Sequence, residues 1–259
     1  ALGVTVRVPH LSWVSMEGEA KRDYPASINY QSPWYPKYRY VEDHFARVNT
    51  AMTRGTPAIR VGVIHPVESC WIHWGPAEQT ALAREELDTN FENVTEWLLF
   101  GSVDFDYISE SLLPSLCECG GAPLEVGNMK YDVIIVPGCE TVRASTCERL
   151  DAFRRAGGKL IFMGDAPKYL DARPSDIPAK LWAEAEHISF TRGALLGALE
   201  GYRNVDIRQA NGELTGSLVH LLRRDGDGLW LFVAQGKLPY NKDISRKQKI
   251  KITVKGFAD

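Results

Sequence analysis

Apolar positions along the chain fall into short blocks whose period changes from one block to the next. Val4, Val6 and Val8 alternate with Thr5 and Arg7, which predicts a half-buried strand stopped by Pro9. Residues 17–37 keep no period and combine prolines with Tyr24, Tyr30, Trp34 and Tyr35, so they read as a long, ordered loop. Val41, Phe45, Val48 and Met52 recur at helical spacing, with Gly55 and Pro57 as stop signals. Residues 59–64 (IRVGVI) predict the first strand of a sheet, followed by the loop HPVESCWIHWGP. Pro76 suits the first turn of a helix whose inward face carries Leu87, Phe91, Val94 and Leu98 and which Gly101 closes. Val103, Phe105 and Tyr107 alternate with Asp104 and Asp106, a strand nearer the sheet edge.

The stretch from Tyr131 to Asp165 organises the rest. Residues 133–136 (VIIV) suit a strand buried on both faces, and Pro137-Gly138 breaks it. Ser145 with Glu148 reads as a capping box, Leu150 and Phe153 give the helix its inward stripe, and Gly157-Gly158 ends it. Residues 160–163 (LIFM) start a second buried strand, so the unit is βαβ in a parallel sheet. Beyond Pro167 the pattern predicts a loop over 168–178, short helices over 181–200, and strands over 204–208, 217–224, 229–235 and 249–255. Asp225-Gly226-Asp227-Gly228 is a hairpin signal, and Ile250, Ile252 and Val254 alternate with lysines as a strand with one wet face.

Composition narrows the function classes. Of the 259 residues, 44% are hydrophobic and 24% charged, ordinary for a globular protein, and a net charge of -3 argues against a nucleic-acid binder. No apolar run approaches the roughly 20 residues that span a bilayer, and the N-terminus lacks the pattern of a signal peptide. These readings predict a cytoplasmic location with no membrane contact. Five cysteines cannot all pair within the chain, and Cys117 and Cys119 have no second pair at metal spacing. Free, mostly buried thiols are expected, with no metal and no cofactor.

In open parallel α/β sheets ligands sit beyond the carboxyl ends of the strands. Three such ends can be read: His65-Pro66-Val67-Glu68, Gly138-Cys139-Glu140 and Gly164-Asp165. Trp71, His73 and Trp74 follow the first, and indole faces beside carboxylates suit a sugar ring; the alternative is that these rings pack under the loop as core. Cys139 stands just past a buried strand, as a nucleophile would, but Thr141 occupies the place of the second glycine that a nucleophile elbow needs. Its helix also starts several residues later, so Cys139 is expected to be non-catalytic. Glu17, Glu19 and Asp23 with Lys21 and Arg22 form the densest polar cluster. Glu17 and Glu19 are candidates for the paired carboxylates of glycosidic cleavage, against the alternative of a solvated charge run.

The segment HLSWVSMEGEAKRDYP, with the following helix and RVGVIHPVESCWIHWGP, resembles an arrangement in large bacterial glycoside hydrolases. There a (β/α)8 catalytic barrel is followed by a class I glutamine-amidotransferase-like domain, as in the trimerisation domain of some β-galactosidases, and then by β-rich domains. The resemblance covers essentially the whole chain. It implies that residues 1–57 are the end of a catalytic barrel (strand, loop, helix), 58–186 a flavodoxin- or amidotransferase-like parallel sheet sandwiched by helices, and 187–259 an antiparallel β extension. It also implies that the amidotransferase nucleophile is missing, since Gly164-Asp165-Ala166 stands where it belongs. A complete barrel needs about 200 residues or more, so the chain is expected to be a fragment of a longer, carbohydrate-degrading enzyme. Expected partners are a carbohydrate substrate, the remainder of the barrel and further copies of the chain, with Trp13, Arg22, Glu68, Trp71, His73, Trp74 and Asp165 as substrate contacts. The rivals are a free-standing amidotransferase-superfamily enzyme using Cys139 and a non-enzymatic carbohydrate-binding or assembly module.

Overall fold

The computed structural model describes residues 3–10, 28, 30, 32–238, 241 and 247–255. Its main elements in chain order are α1 (Arg39–Thr53), β1 (Val61–Ile64), α2 (Val67–Trp71), α3 (Ala77–Phe100), β2 (Phe105–Ile108), β3 (Val133–Pro137), α4 (Ala144–Arg155), β4 (Lys159–Met163), α5 (Ile177–Glu184), β5 (Glu186–Ile188), α6 (Arg192–Ala198), β6 (Val205–Gln209), β7 (Leu218–Asp225), β8 (Gly228–Gln235) and β9 (Ile250–Val254), with shorter pieces between them. The central sheet has the order β5-β4-β3-β1-β2 with every pair parallel. Ranked by position in the chain this is the 2-1-3-4-5 arrangement of flavodoxin-like folds. The α/β class expected from the sequence is therefore the observed one, with β2 at one edge of the sheet.

Strand β3 shows why its run is apolar without alternation. Ile134 and Val136 pack against Leu150 and Phe153 of α4 and Leu181 of α5. Val133 and Ile135 point the other way, against Val94 and Leu98 of α3 and Leu195 of α6. A strand covered on both faces buries every side chain, and each large one contributes about 1.5–3 kcal/mol.

The C-terminal part forms a smaller antiparallel section. β7 pairs with β8 in the register Asp225↔Gly228, so Gly226-Asp227 makes the two-residue turn that the sequence signals. Residues Thr56–Pro57 pair with β7, and β6 pairs with β9. Val205, Ile207, Leu218 and Leu222 make its small core. Apolar packing of Leu214 on the α/β core and side-chain hydrogen bonds both attach it to the α/β body: Asn204 Nδ2 donates to the Ala58 carbonyl at 2.7 Å, and Arg223 Nη2 to that of Gly55 at 2.7 Å. Gly55 has φ +61°, and a Cβ there would stand 2.0 Å from the Arg224 carbonyl oxygen, so only glycine fits this junction.

Several local expectations are corrected. Residues 4–10 belong to no strand, and Val4, Val6 and Val8 are 73, 61 and 86% exposed. Arg7 is drawn onto α1 instead, 4.5 Å over the Phe45 ring and hydrogen-bonded to Tyr38 Oη at 2.8 Å, and a period of two then turns the valines outward. Ser145 lies inside α4; the N-cap residue is Arg143, and Asp171 Oδ1 accepts from the N–H of Ala144 at 3.2 Å. The 181–200 stretch contains strand β5, three residues that pairing with β4 draws out of the helical surroundings. The 168–178 loop holds a short hairpin, Tyr169–Leu170 with Arg173–Pro174. All five residues of β9 are exposed, so both its faces are wet. Asp104, placed on a polar face by alternation, has its Oδ2 buried instead.

Candidate functional site

The carboxyl ends of β3 and β4 open into a crevice of about 460 Å³. Gly138 and Gly164 terminate these strands with φ +51° and +78°, left-handed turns that glycine adopts without strain. Phe190 lies over both, so the chain reverses under an aromatic wall with no Cβ in the way. Cys139, Glu140, Asp165 and Lys168 line the floor and rim, and Glu86 and Asn90 of α3 close the far side. Glu140 is held from two directions. His73 Nε2 lies 2.7 Å from its Oε1, and the buried Ser69 accepts its backbone N–H at 2.9 Å and that of Thr141 at 3.2 Å. Trp182 Nε1 donates to the Gly164 carbonyl at 3.2 Å and fixes the other turn.

Cys139 is 4% exposed, and its Sγ faces the Pro137 carbonyl at 3.7 Å. Burial pushes its thiol well above the ordinary value, and the charges of Glu110 and Glu68 push the same way. Among the described residues, the hydrogen bond that its Sγ makes is to that main-chain carbonyl.

A second cleft, about 370 Å³, opens between α2 and the turn of the Tyr169–Pro174 hairpin. It is lined by Glu68, Trp71, Ile72, Thr141, Arg143, Asp171 and Ala172. Arg143 Nε donates to Glu68 Oε1 at 2.5 Å, and the Arg143 backbone N–H goes to the buried Glu110 at 2.8 Å. Burial raises the Glu110 carboxyl, while that N–H stabilises its ionised form. Asp171 and Ala172 both have positive φ, 50° and 60°, the geometry of a two-residue hairpin turn. A left-handed alanine costs about 1 kcal/mol. The Ala172 N–H compensates by donating to Thr141 Oγ1 at 3.0 Å, while Asp171 caps α4.

No protein-family model matches the chain, and no curated protein matches it. Among solved structures the chain is similar to the apo exo-carrageenase GH42 from Bacteroides ovatus, at 12% identity and a TM-score of 0.41, over 84% of this chain and 31% of that one. The chain thus spans about a third of that glycoside hydrolase's length.

The structure divides the residues singled out from sequence. Asp165, Glu140 and the His73 bonded to it gather at the first crevice. Glu68 and Trp71 line the second cleft. Trp74 stands apart, 78% exposed with Arg84 over its ring at 5.3 Å. Trp71 is 59% exposed, so neither indole is core. Trp13, Glu17, Glu19 and Arg22 lie outside the described residues. Sequence reasoning missed Ser69, Glu110, Arg143 and Asp171. One signal was present: Arg143 stands at a helix N-terminus, where the dipole disfavours a cation unless a carboxylate accompanies it. No described helix is long and apolar enough to cross a membrane.

Proposed function

We propose that this chain is a non-catalytic, flavodoxin-like module of a carbohydrate-degrading enzyme, serving in structure and assembly beside a catalytic domain. The observation that carries this reading is the state of the strand ends. The thiol nearest a nucleophile position is buried and faces a carbonyl, and the β4 turn offers Gly164-Asp165 in place of a nucleophile. Helix α1 supports a neighbouring domain: burial of its apolar stripe fades from Met52, 4% exposed, to Val41, 38% exposed, with Tyr40 bare beside it. A helix with this pattern is packed on one end of its stripe and offers the other.

The test is hydrolysis. The chain alone is expected to turn over neither aryl glycosides nor glutamine. The longer protein that this reading requires should cleave a glycoside, and deletion of residues 58–238 should abolish its activity or its assembly. Glutamine turnover by the chain, lost in Cys139→Ser, would instead establish the free-standing amidotransferase reading.

A further inference from the structure

The second cleft combines features that the sheet does not require. Trp71 projects from a short helix with its ring more than half exposed, and Ile72 beside it is 37% exposed. The exposed indole and the neighbouring Ile72 make a small apolar face on a helix turn held against the body. The floor beside it is charged and fixed: the Glu68 side chain is 15% exposed, its Oε1 taken by Arg143 Nε at 2.5 Å. Among the described residues, Glu68 Oε2 and the two terminal nitrogens of Arg143 make no hydrogen bond. An apolar partner pressed onto Trp71 would strip water from these groups and leave them unpaired. The occupant that fits must lay C–H groups on an indole while bringing hydroxyls, as donors and acceptors, to a carboxylate and a guanidinium.

We infer that the cleft between α2 and the Asp171-Ala172 turn binds a pyranose ring of a neutral oligosaccharide, with Trp71 as the platform and Glu68 and Arg143 reading ring hydroxyls. This rests on the carbohydrate reading above and assigns to the module an ancillary sugar site apart from the crevice at Glu140 and Asp165. The volume suits one or two sugar rings rather than an extended chain. Rigidity favours it as well. Arg143, Asp171 and Thr141 are tied to Glu110, Ala144 and Ala172, so the polar groups are in place before the sugar arrives.

The experiment is calorimetric titration of the chain with neutral trisaccharides of the galacto-, xylo-, manno- and gluco-series. At least one series should bind with a Kd in the millimolar range, and Trp71→Ala should weaken it about tenfold or more. Trp71→Phe, which keeps a ring face, should retain most of the binding, and Trp74→Ala should leave it unchanged. Circular dichroism of Trp71→Ala checks that an exposed substitution has left the fold alone. The inference is overturned if no series binds, or if Trp71→Ala binds as well as the parent. It is also overturned if the chain self-associates through Trp71, seen as oligomers that Trp71→Ala dissociates, without any heat from sugar. A silent titration beside a longer protein whose hydrolysis depends on this module would sink the sugar site alone and leave the proposed function standing.

Discussion

The Nε of Arg203 donates to the carbonyl of Gly101 at 3.0 Å, joining the end of α3 to the residue that leads into β6. The Arg203 side chain is almost fully enclosed, and its Nη1 reaches Glu200 at 2.5 Å. One guanidinium thus satisfies a helix-terminal carbonyl and aligns the antiparallel section with the parallel sheet.

Removing it should loosen that junction. Arg203→Ala empties a buried site and leaves the Gly101 carbonyl without its donor, a loss of about 3 kcal/mol. Arg203→Lys should recover less than half, since an ammonium lacks the fork that meets both partners. Urea midpoints measure the loss, and wild-type midpoints for both variants would contradict it.

Two buried groups titrate with opposite sign. Burial raises Asp104 to about 7 from 3.8 and lowers His220 to about 4 from 6.5. For Asp104, stability is complete below pH 3.8 and is lost as pH rises to about 7, because the buried carboxyl must ionise. For His220, stability is complete above pH 6.5 and is lost as pH falls toward 4, because the buried ring must charge. The two nearly offset each other. Asp104→Asn should therefore make stability rise with pH across this window relative to wild type, and His220→Gln should make it fall. Parallel profiles for all three proteins would refute the assignment.

The thiols should separate by accessibility. Cys119 is exposed and Cys70 half-buried, whereas Cys117, Cys139 and Cys147 are buried. Burial pushes Cys147 up to about 12, and nearby carboxylates add to the shift. Iodoacetamide at mildly alkaline pH should label Cys119 first and Cys70 more slowly. Peptide mapping should find Cys139 and Cys147 modified only after unfolding; native labelling of Cys139 would reopen its case as a nucleophile.

Ser69 organises the edge of the crevice. Its hydroxyl accepts from two successive N–H groups, those of Glu140 and Thr141. Ser69→Ala leaves both without an acceptor in a buried site, a cost of about 2 kcal/mol. Hydrogen exchange at Glu140 and Thr141 should rise well beyond that of the β3 amides. Unchanged protection at those two positions would show that Ser69 does not hold the turn.

What the chain states in its own order is the parallel sheet. The runs at 61–64, 133–136 and 160–163 carry no polar side chain, are short and are rich in β-branched residues, the pattern of a strand covered on both faces. The spacing of Leu150 and Phe153, the stop at Gly157 and the Asp225–Gly228 turn are likewise local, because torsion preference and periodicity act over a few residues. Tertiary structure alone decided the rest. Strand β5 has three residues and no period of its own, and it exists because the β4 edge offers a ladder. The cap of α4 comes from Asp171, which follows Ala144 by 27 positions, and the two clefts divide residues that lie close together in the sequence. Trp71 and Trp74 show the limit most plainly: three residues apart and chemically identical, they stand at different surfaces. The reason is physical. Hydrogen-bond partners and exposure are properties of what folds alongside a residue, and a linear pattern carries no record of that neighbour.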